Sequence, residues 1–160
     1  MTPILMLGAG RMGGALIDGW RAAGAFQASD LLIREPYANP TLEAAAKGGA
    51  LINPADDVLA RAKTVLLAVK PQIWREAAAQ VAPHLAPDAV IVSIAAGVKS
   101  ADISEAFGGR AVARVMPTTA VAIGQGTTSI YAASADARAR AHALFAPVGT
   151  AVDLADEELL

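Results

Sequence analysis

The chain has 160 residues, of which 54% are apolar and 18% are charged, a balance that excludes an intrinsically disordered protein. A net charge of −2 argues against a nucleic-acid or acidic-membrane partner, and the absence of cysteine excludes disulfides, thiolate nucleophiles and cysteine-ligated metals. The only histidines, His84 and His142, are far apart in sequence, so we expect no metal site. No apolar run approaches the ~20 residues of a membrane-spanning helix, and the first residues lack the pattern of a signal peptide. We therefore expect a cytoplasmic domain.

Short apolar runs alternate with alanine-rich amphipathic segments along the chain. Continuous apolar runs are typical of strands buried on both faces of a parallel sheet, and they lie at residues 4–7, 31–33, 65–69, 89–94 and 111–116. Helices are predicted over residues 12–23, ended by Gly24, and over residues 72–85. Further helices are predicted to begin at Asn53, Ser100 and Ser134, each followed by an acidic residue in the first turn.

This alternation predicts an α/β fold, a Rossmann-like doubly wound and mostly parallel sheet with helices on both faces. The pattern changes after residue 116. Residues 127–132 follow a short loop that contains glycine, which predicts an antiparallel strand at the sheet edge, and residues 148–154 are predicted to form the last strand. We expect residues 1–154 to form one domain, and residues 155–160 to begin a further helix.

The segment Gly8-Ala9-Gly10-Arg11-Met12-Gly13 is a G-x-G-x-x-G motif between the first predicted strand and the first predicted helix. The first glycine permits a tight turn, the second lets the backbone approach a diphosphate, and the third lets helix and strand pack closely. Free N–H groups and the helix dipole then hold the phosphate charge. The alternative is a purely structural turn. Because strand, helix and α/β alternation are all present, the motif predicts dinucleotide binding.

The end of the second strand is expected to contact the adenine ribose of the dinucleotide. Arg34 and Glu35 offer two chemistries there, since a carboxylate suits the 2′-hydroxyl of NAD and a guanidinium suits the 2′-phosphate of NADP. Arg34 lies about twenty residues after the glycine motif, where the discriminating residue is expected. We therefore predict NADP, with NADPH preferred and NAD possible. The alternative is an exposed Arg34 that pairs with Glu35.

Three later strands end in residues that suit the other half of a dinucleotide. Lys70 follows the strand at 65–69, Gly97 follows the strand at 89–94, and Thr118 follows the strand at 111–116. Each has a structural alternative: Lys70 as a solvated charge, Gly97 as a turn residue and Thr118 as a helix cap. Together at one edge of the sheet they favour a nicotinamide site. No residue of the chain is predicted to be a catalytic acid, base or nucleophile.

Four motifs occur in order along the chain: GAGRMGGAL at 8–16, VLLAVKPQ at 65–72, VSIAAGV at 92–98 and RVMPTTAVAIGQGTT at 114–128. With them the chain resembles pyrroline-5-carboxylate reductase over essentially all of its length. The resemblance implies hydride transfer from NAD(P)H to the C=N carbon of 1-pyrroline-5-carboxylate, which gives proline. It places the diphosphate at residues 7–12, the 2′ position at 34–35, the nicotinamide ribose at 68–71 and the ring at 95–97. The predicted cofactor-binding residues are Leu7, Gly8, Ala9, Gly10, Arg11, Met12, Gly13, Arg34, Glu35, Ala68, Val69, Lys70, Pro71, Ala95, Ala96, Gly97, Pro117 and Thr118.

The chain departs from the family pattern at several positions. The usual sequence MPNTP has Thr118 in place of its asparagine and Ala120 in place of its last proline, and Ala55 stands where asparagine is common. Family members continue into a helical domain that makes the dimer and most of the substrate pocket. The resemblance therefore implies a cofactor-binding half, with residues 155–160 as the start of the connection. We expect it to be weakly active or inactive alone, and the full-length protein to be a homo-oligomer. The alternatives are a related imine or β-hydroxyacid reductase, or a dinucleotide-binding module without catalysis.

Overall fold

Eight strands form one sheet in the computed structural model, which describes residues 1–160. Their spatial order is β3-β2-β1-β4-β5-β6-β7-β8. The first six strands in this order are parallel, β7 runs antiparallel to β6, and β8 is parallel to β7. The strands are β1 (Ile4–Leu7), β2 (Leu31–Arg34), β3 (Leu51–Ile52), β4 (Thr64–Leu67), β5 (Val90–Ser93), β6 (Val112–Met116), β7 (Gly126–Ala132) and β8 (Gly149–Asp153).

Five α-helices connect the strands, together with short 3-10 segments. The helices are α1 (Arg11–Ala23), α2 (Pro40–Lys47), α3 (Trp74–Val81), α4 (Ser100–Ala106) and α5 (Ala135–Phe145). Gly24 ends α1 in the left-handed conformation, and the side chains of Asn39 and Ser134 cap α2 and α5. None of the helices is long and apolar enough to cross a membrane.

Alternate residues of the central strands enter two separate hydrophobic cores. In β1, Ile4 and Met6 pack on the side that holds α1, α2 and α5, whereas Leu5 and Leu7 pack on the side that holds α3 and α4. Side chains of a strand point to opposite faces in turn, so a strand covered by helices on both sides has to be apolar at every position. This explains the continuous apolar runs of the sequence, and it confirms the predicted doubly wound sheet.

Three details of the observed architecture differ from the prediction. The strand at 127–132 is antiparallel as predicted, but β8 lies outside it and forms the edge. Two short elements, β3 and α2, are not predicted. Asn53 does not cap a helix; it has a φ of 50°, and residues Asp56–Arg61 form a 3-10 segment.

Candidate functional site

The predicted site residues lie at the carboxyl ends of five neighbouring strands, β2, β1, β4, β5 and β6. The order β3-β2-β1-β4-β5-β6 places the reversal of strand order between β1 and β4. Ligands of open α/β sheets bind outside the carboxyl ends of the strands at such a switch point. The structure therefore brings the glycine motif and the later strand ends to one edge.

The three glycines of the motif meet different surroundings. Gly8 has a φ of 94°, and a Cβ on it would lie 2.7 Å from the carbonyl oxygen of Ala68. A Cβ on Gly13 would lie 2.8 Å from the carbonyl oxygen of Gly8, so both positions need glycine for the fold itself. Gly10 has a negative φ and no atom within 4 Å of such a Cβ. Only at Gly10 is the space beside the backbone left open.

Some backbone N–H groups of the motif donate hydrogen bonds within the protein, and others do not. Gly8 donates to the carbonyl oxygen of Arg34 at 2.8 Å, and Ala9 donates to the carboxylate of Glu35 at 3.0 Å. The N–H groups of residues 10–13, which are the N-cap residue and the first turn of α1, make no hydrogen bond to the protein. Ala9 is only 1% exposed, whereas Gly10 and Arg11 lie at the surface. The free donors thus begin one residue after Ala9.

A cleft of about 850 Å³ runs from the glycine motif along the ends of β2 and β4 to α3. Arg34, Glu35 and Val69 are among the residues that line the cleft. Its volume falls within the range of small-molecule sites, and one guanidinium and three carboxylates line it.

Arg34 pairs with Asp56 and not with Glu35. Its Nη2 donates to the carbonyl oxygen of Pro54 at 2.8 Å and to a carboxylate oxygen of Asp56 at 2.9 Å. The other oxygen of Asp56 lies 3.4 Å from Nε2 of His84. The hydrogen bond from Arg34, followed by the charge of His84, lowers the pKa of Asp56. The alternative in which Arg34 pairs with Glu35 is wrong, because the carboxylate that Arg34 contacts is that of Asp56.

Asn53 fixes the backbone next to Glu35. The Glu35 N–H donates to Asn53 Oδ1 at 2.9 Å, and Asn53 Nδ2 donates to the Glu35 carbonyl oxygen at 2.9 Å. This reciprocal pair joins the ends of β2 and β3. A side chain that bonds to a backbone 18 residues away leaves no local pattern in the sequence, and the Asn-Pro pair predicts a helix cap instead.

The remaining predicted residues differ in exposure along the same edge. Ala68, Val69, Ala95 and Pro117 are buried or half-buried, whereas Lys70, Pro71, Ala96, Gly97 and Thr118 are exposed. The Thr118 hydroxyl accepts a hydrogen bond from the Thr127 N–H at 3.2 Å and makes no capping hydrogen bond to the 3-10 segment that follows it, so the alternative role as a helix cap is wrong. Gly97 has a φ of 74°, as its alternative role in a turn requires.

Asn39 belongs to this region as well, although no role is predicted for it from the sequence. Its side-chain oxygen caps α2 by accepting from the Leu42 N–H at 3.0 Å, and its amide donates to the Ala9 carbonyl oxygen at 3.2 Å. It thereby holds the glycine motif against the start of α2, next to a second groove of about 590 Å³. The Asn39-Pro40 pair is the signal that could have predicted this cap.

A carboxylate from the last residues of the chain reaches the start of α4 and the middle of β6. Glu157 accepts hydrogen bonds from the Ser100 N–H at 2.6 Å, the Ser100 hydroxyl at 2.7 Å and Arg114 at 2.9 Å. The side chain of Arg114 is 9% exposed and that of Glu157 is 23% exposed. Burial raises the pKa of Glu157, but the bonds from Ser100 and Arg114 outweigh it, so the pKa lies below its usual value.

Relatives of known name support the resemblance to pyrroline-5-carboxylate reductase. The chain is 36% identical to that reductase of Pseudomonas aeruginosa over 98% of its own length and 59% of the relative. It is 32% identical to the reductase of Escherichia coli over 78% of its length and 47% of the relative. The chain thus spans about half of the length of these relatives.

Solved structures share the fold. The chain superposes on a pyrroline-5-carboxylate reductase from Coxiella burnetii with a TM-score of 0.85 and 22% identity, over 98% of this chain and 60% of that one. A Plasmodium falciparum pyrroline carboxylate reductase with NADP bound gives a TM-score of 0.83 and 20% identity, over 99% of this chain and 59% of that one. Residues 3–97 match the family described as NADP oxidoreductase, coenzyme F420-dependent. This match covers more than half of the chain, which therefore belongs to that oxidoreductase family.

Proposed function

We propose that this chain is the dinucleotide-binding half of a pyrroline-5-carboxylate reductase and that it binds NADP(H), with NADPH preferred and NADH possible. The single observation that carries the proposal is the row of unpaired N–H groups at residues 10–13, at the switch point of the sheet. Such a helix start attracts phosphate, because its free N–H groups and the helix dipole are directed at the negative charge.

The residues at the carboxyl edge fit a dinucleotide. A diphosphate can approach the backbone at Gly10, where nothing fills the space that a Cβ would take. The adenosine half fits the cleft beside Arg34 and Glu35. The nicotinamide half then extends toward residues 68–71, 95–97 and 117–118 on the neighbouring strands. All of the predicted cofactor-binding residues belong to this proposal.

In the proposed reaction this chain binds and orients the cofactor, and none of its side chains transfers a proton. When bound, the nicotinamide supplies a hydride for the C=N carbon of the imine, and the imine nitrogen takes a proton from solvent. No side chain at the carboxyl edge is required as an acid. Reaction rate then depends on the distance and angle between the two reacting carbons, which positioning residues control.

The whole reaction is proposed from relatives that are longer than this chain. In this proposal a helical domain supplies most of the imine pocket and joins subunits into a homo-oligomer, and the protein works in the cytoplasm. The chain alone is expected to bind NADPH and to reduce pyrroline-5-carboxylate slowly or not at all. The sequences of the relatives that it matches, and the four motifs at their spacing, support this substrate class.

A chimera tests the proposal. Residues 1–160 replace the matching part of the Pseudomonas aeruginosa reductase, to which they are 36% identical, and NADPH binding and imine-dependent NADPH oxidation are measured. A chimera that oxidises NADPH only when pyrroline-5-carboxylate is added supports the proposal. A chimera that binds NADPH and remains inactive contradicts the proposed substrate. Calorimetry that shows no binding of NADPH or NADH to the unmodified chain contradicts the proposed cofactor.

A further inference from the structure

The protein holds the guanidinium of Arg34 at the cleft, where the proposed function puts the 2′-phosphate of the nucleotide. Both of its hydrogen bonds run from Nη2, to Pro54 and to Asp56, and the side chain is 24% exposed. Its Nε is buried and has no partner in the protein. An arginine binds a phosphate best through two parallel N–H groups. Because Nη2 of Arg34 already donates to Pro54 and Asp56, a phosphate has to compete with these acceptors.

Asp56 is that competitor. Its carboxylate lies between Arg34 and His84, at 2.9 Å and 3.4 Å, and is itself 57% exposed at the mouth of the cleft. It comes from the 3-10 segment after β3, whereas Arg34 ends β2, so the pair joins two segments that are 22 residues apart.

The excess of carboxylates in the cleft strengthens the effect of the Arg34–Asp56 ion pair on cofactor choice. Arg34 is the only cation among the lining residues, whereas Glu35, Asp56 and Glu76 supply three carboxylates. A 2′-phosphate brings about two further negative charges at neutral pH, and a 2′-hydroxyl brings none. An Arg34 already neutralised by Asp56 therefore discriminates less between NADPH and NADH than a free one.

We infer that Asp56 is a specificity-determining residue, which competes with the 2′-phosphate of NADPH for Arg34 and so limits the preference for NADPH over NADH. The inference rests on the proposed function, because it takes the cleft to be the adenosine site. It gives the 3-10 segment after β3 a role in cofactor choice, in addition to the role of Arg34 at the end of β2.

Calorimetric titration of NADPH and NADH into Asp56→Ala and Asp57→Ala tests the inference. Both aspartates are exposed in the first turn of the same 3-10 segment, but Asp57 makes no bond to Arg34, so Asp57→Ala is a matched control for charge. We expect Asp56→Ala to lower the Kd of NADPH relative to that of NADH about two- to fivefold, the range of an exposed ion pair. We expect Asp57→Ala to leave the ratio of the two Kd values unchanged.

A double-mutant cycle with Arg34→Ala separates competition for Arg34 from a general change of charge. In the Arg34→Ala background, Asp56→Ala should no longer change the ratio of the Kd values. An equal effect of Asp56→Ala and Asp57→Ala, or an undiminished effect in the Arg34→Ala background, overturns the inference. If the unmodified chain binds neither dinucleotide, the proposed function itself fails, which is a distinguishable result.

Discussion

The carboxylate of Glu35 accepts a hydrogen bond at 3.0 Å from the backbone N–H of Ala9, which lies 26 residues earlier in the chain. Its second oxygen lies 3.3 Å from the Tyr37 N–H, which donates to it. Because Ala9 is buried, the protein itself has to satisfy this N–H group. The shape of the glycine motif is therefore fixed by a side chain from the neighbouring strand.

Replacing Glu35 by alanine is expected to lower the free energy of unfolding by about 1–3 kcal/mol, because it leaves the buried Ala9 N–H without an acceptor. Glu35→Gln keeps an acceptor oxygen and should lose clearly less. Urea denaturation of the two variants measures the difference. Equal losses for alanine and glutamine would show that the bond to Ala9 does not stabilise the motif.

Glu157→Gln is expected to lower the free energy of unfolding by about 1–3 kcal/mol at pH 7, because Arg114 loses a charged partner. The folded-state pKa of Glu157 lies below the usual 4.5, so its contribution is fully present above that value. The contribution is lost as the pH falls through the lowered pKa.

Denaturation of the protein and of Glu157→Gln at a series of pH values checks this sign. The stability difference should be constant near neutral pH and should shrink below pH 4.5. Glu158→Gln is the control, since that side chain is exposed and holds no hydrogen bond to Arg114 or Ser100. A difference that grows on acidification contradicts the account of Glu157.

Local patterns account for most of the fold. The first strand lies at the predicted residues 4–7, and the second, predicted at 31–33, extends over 31–34, since full burial on both faces demands continuous apolar runs. The glycine that ends α1 also follows from local conformation alone. By contrast, β3 has only two residues, too few to give a recognisable pattern, and α2 is signalled only by the Asn39-Pro40 pair at its start.

The candidate site is predicted less completely, because its details depend on residues that are distant in sequence. The motif places the loop and the helix start, but it does not show that Ala9 is bonded to Glu35 or that Arg34 is bonded to Asp56. These contacts join segments more than 20 residues apart through side-chain conformations. The position of each residue at the sheet edge was predictable, whereas its partner was not.

Trp20 connects α1 to the end of α5. Its Nε1 donates to the carbonyl oxygen of Leu144 at 2.7 Å in the core, and its ring packs edge-on against Phe26. Trp20→Phe removes the donor and part of the volume, which is expected to cost about 2–4 kcal/mol in the free energy of unfolding. Thermal denaturation measures the loss, and an unchanged Tm would contradict the role given to this bond.

The glycine motif gives the most direct test of the central claim, that the free N–H groups of residues 10–13 bind the diphosphate of NADP(H). A Cβ at residue 10 meets no protein atom within 4 Å, so Gly10→Ala should keep the free energy of unfolding within about 1 kcal/mol. In Gly13→Ala the Cβ would lie 2.8 Å from the Gly8 carbonyl oxygen, so that variant should lose stability instead.

The decisive measurement is the Kd of NADPH for the unmodified chain and for Gly10→Ala, by calorimetry, on samples with matched Tm. The added methyl group stands where the diphosphate would contact the backbone. We predict at least a tenfold rise in Kd, roughly 1.4 kcal/mol of binding free energy. A folded Gly10→Ala that binds NADPH as tightly as the unmodified chain would contradict the claim.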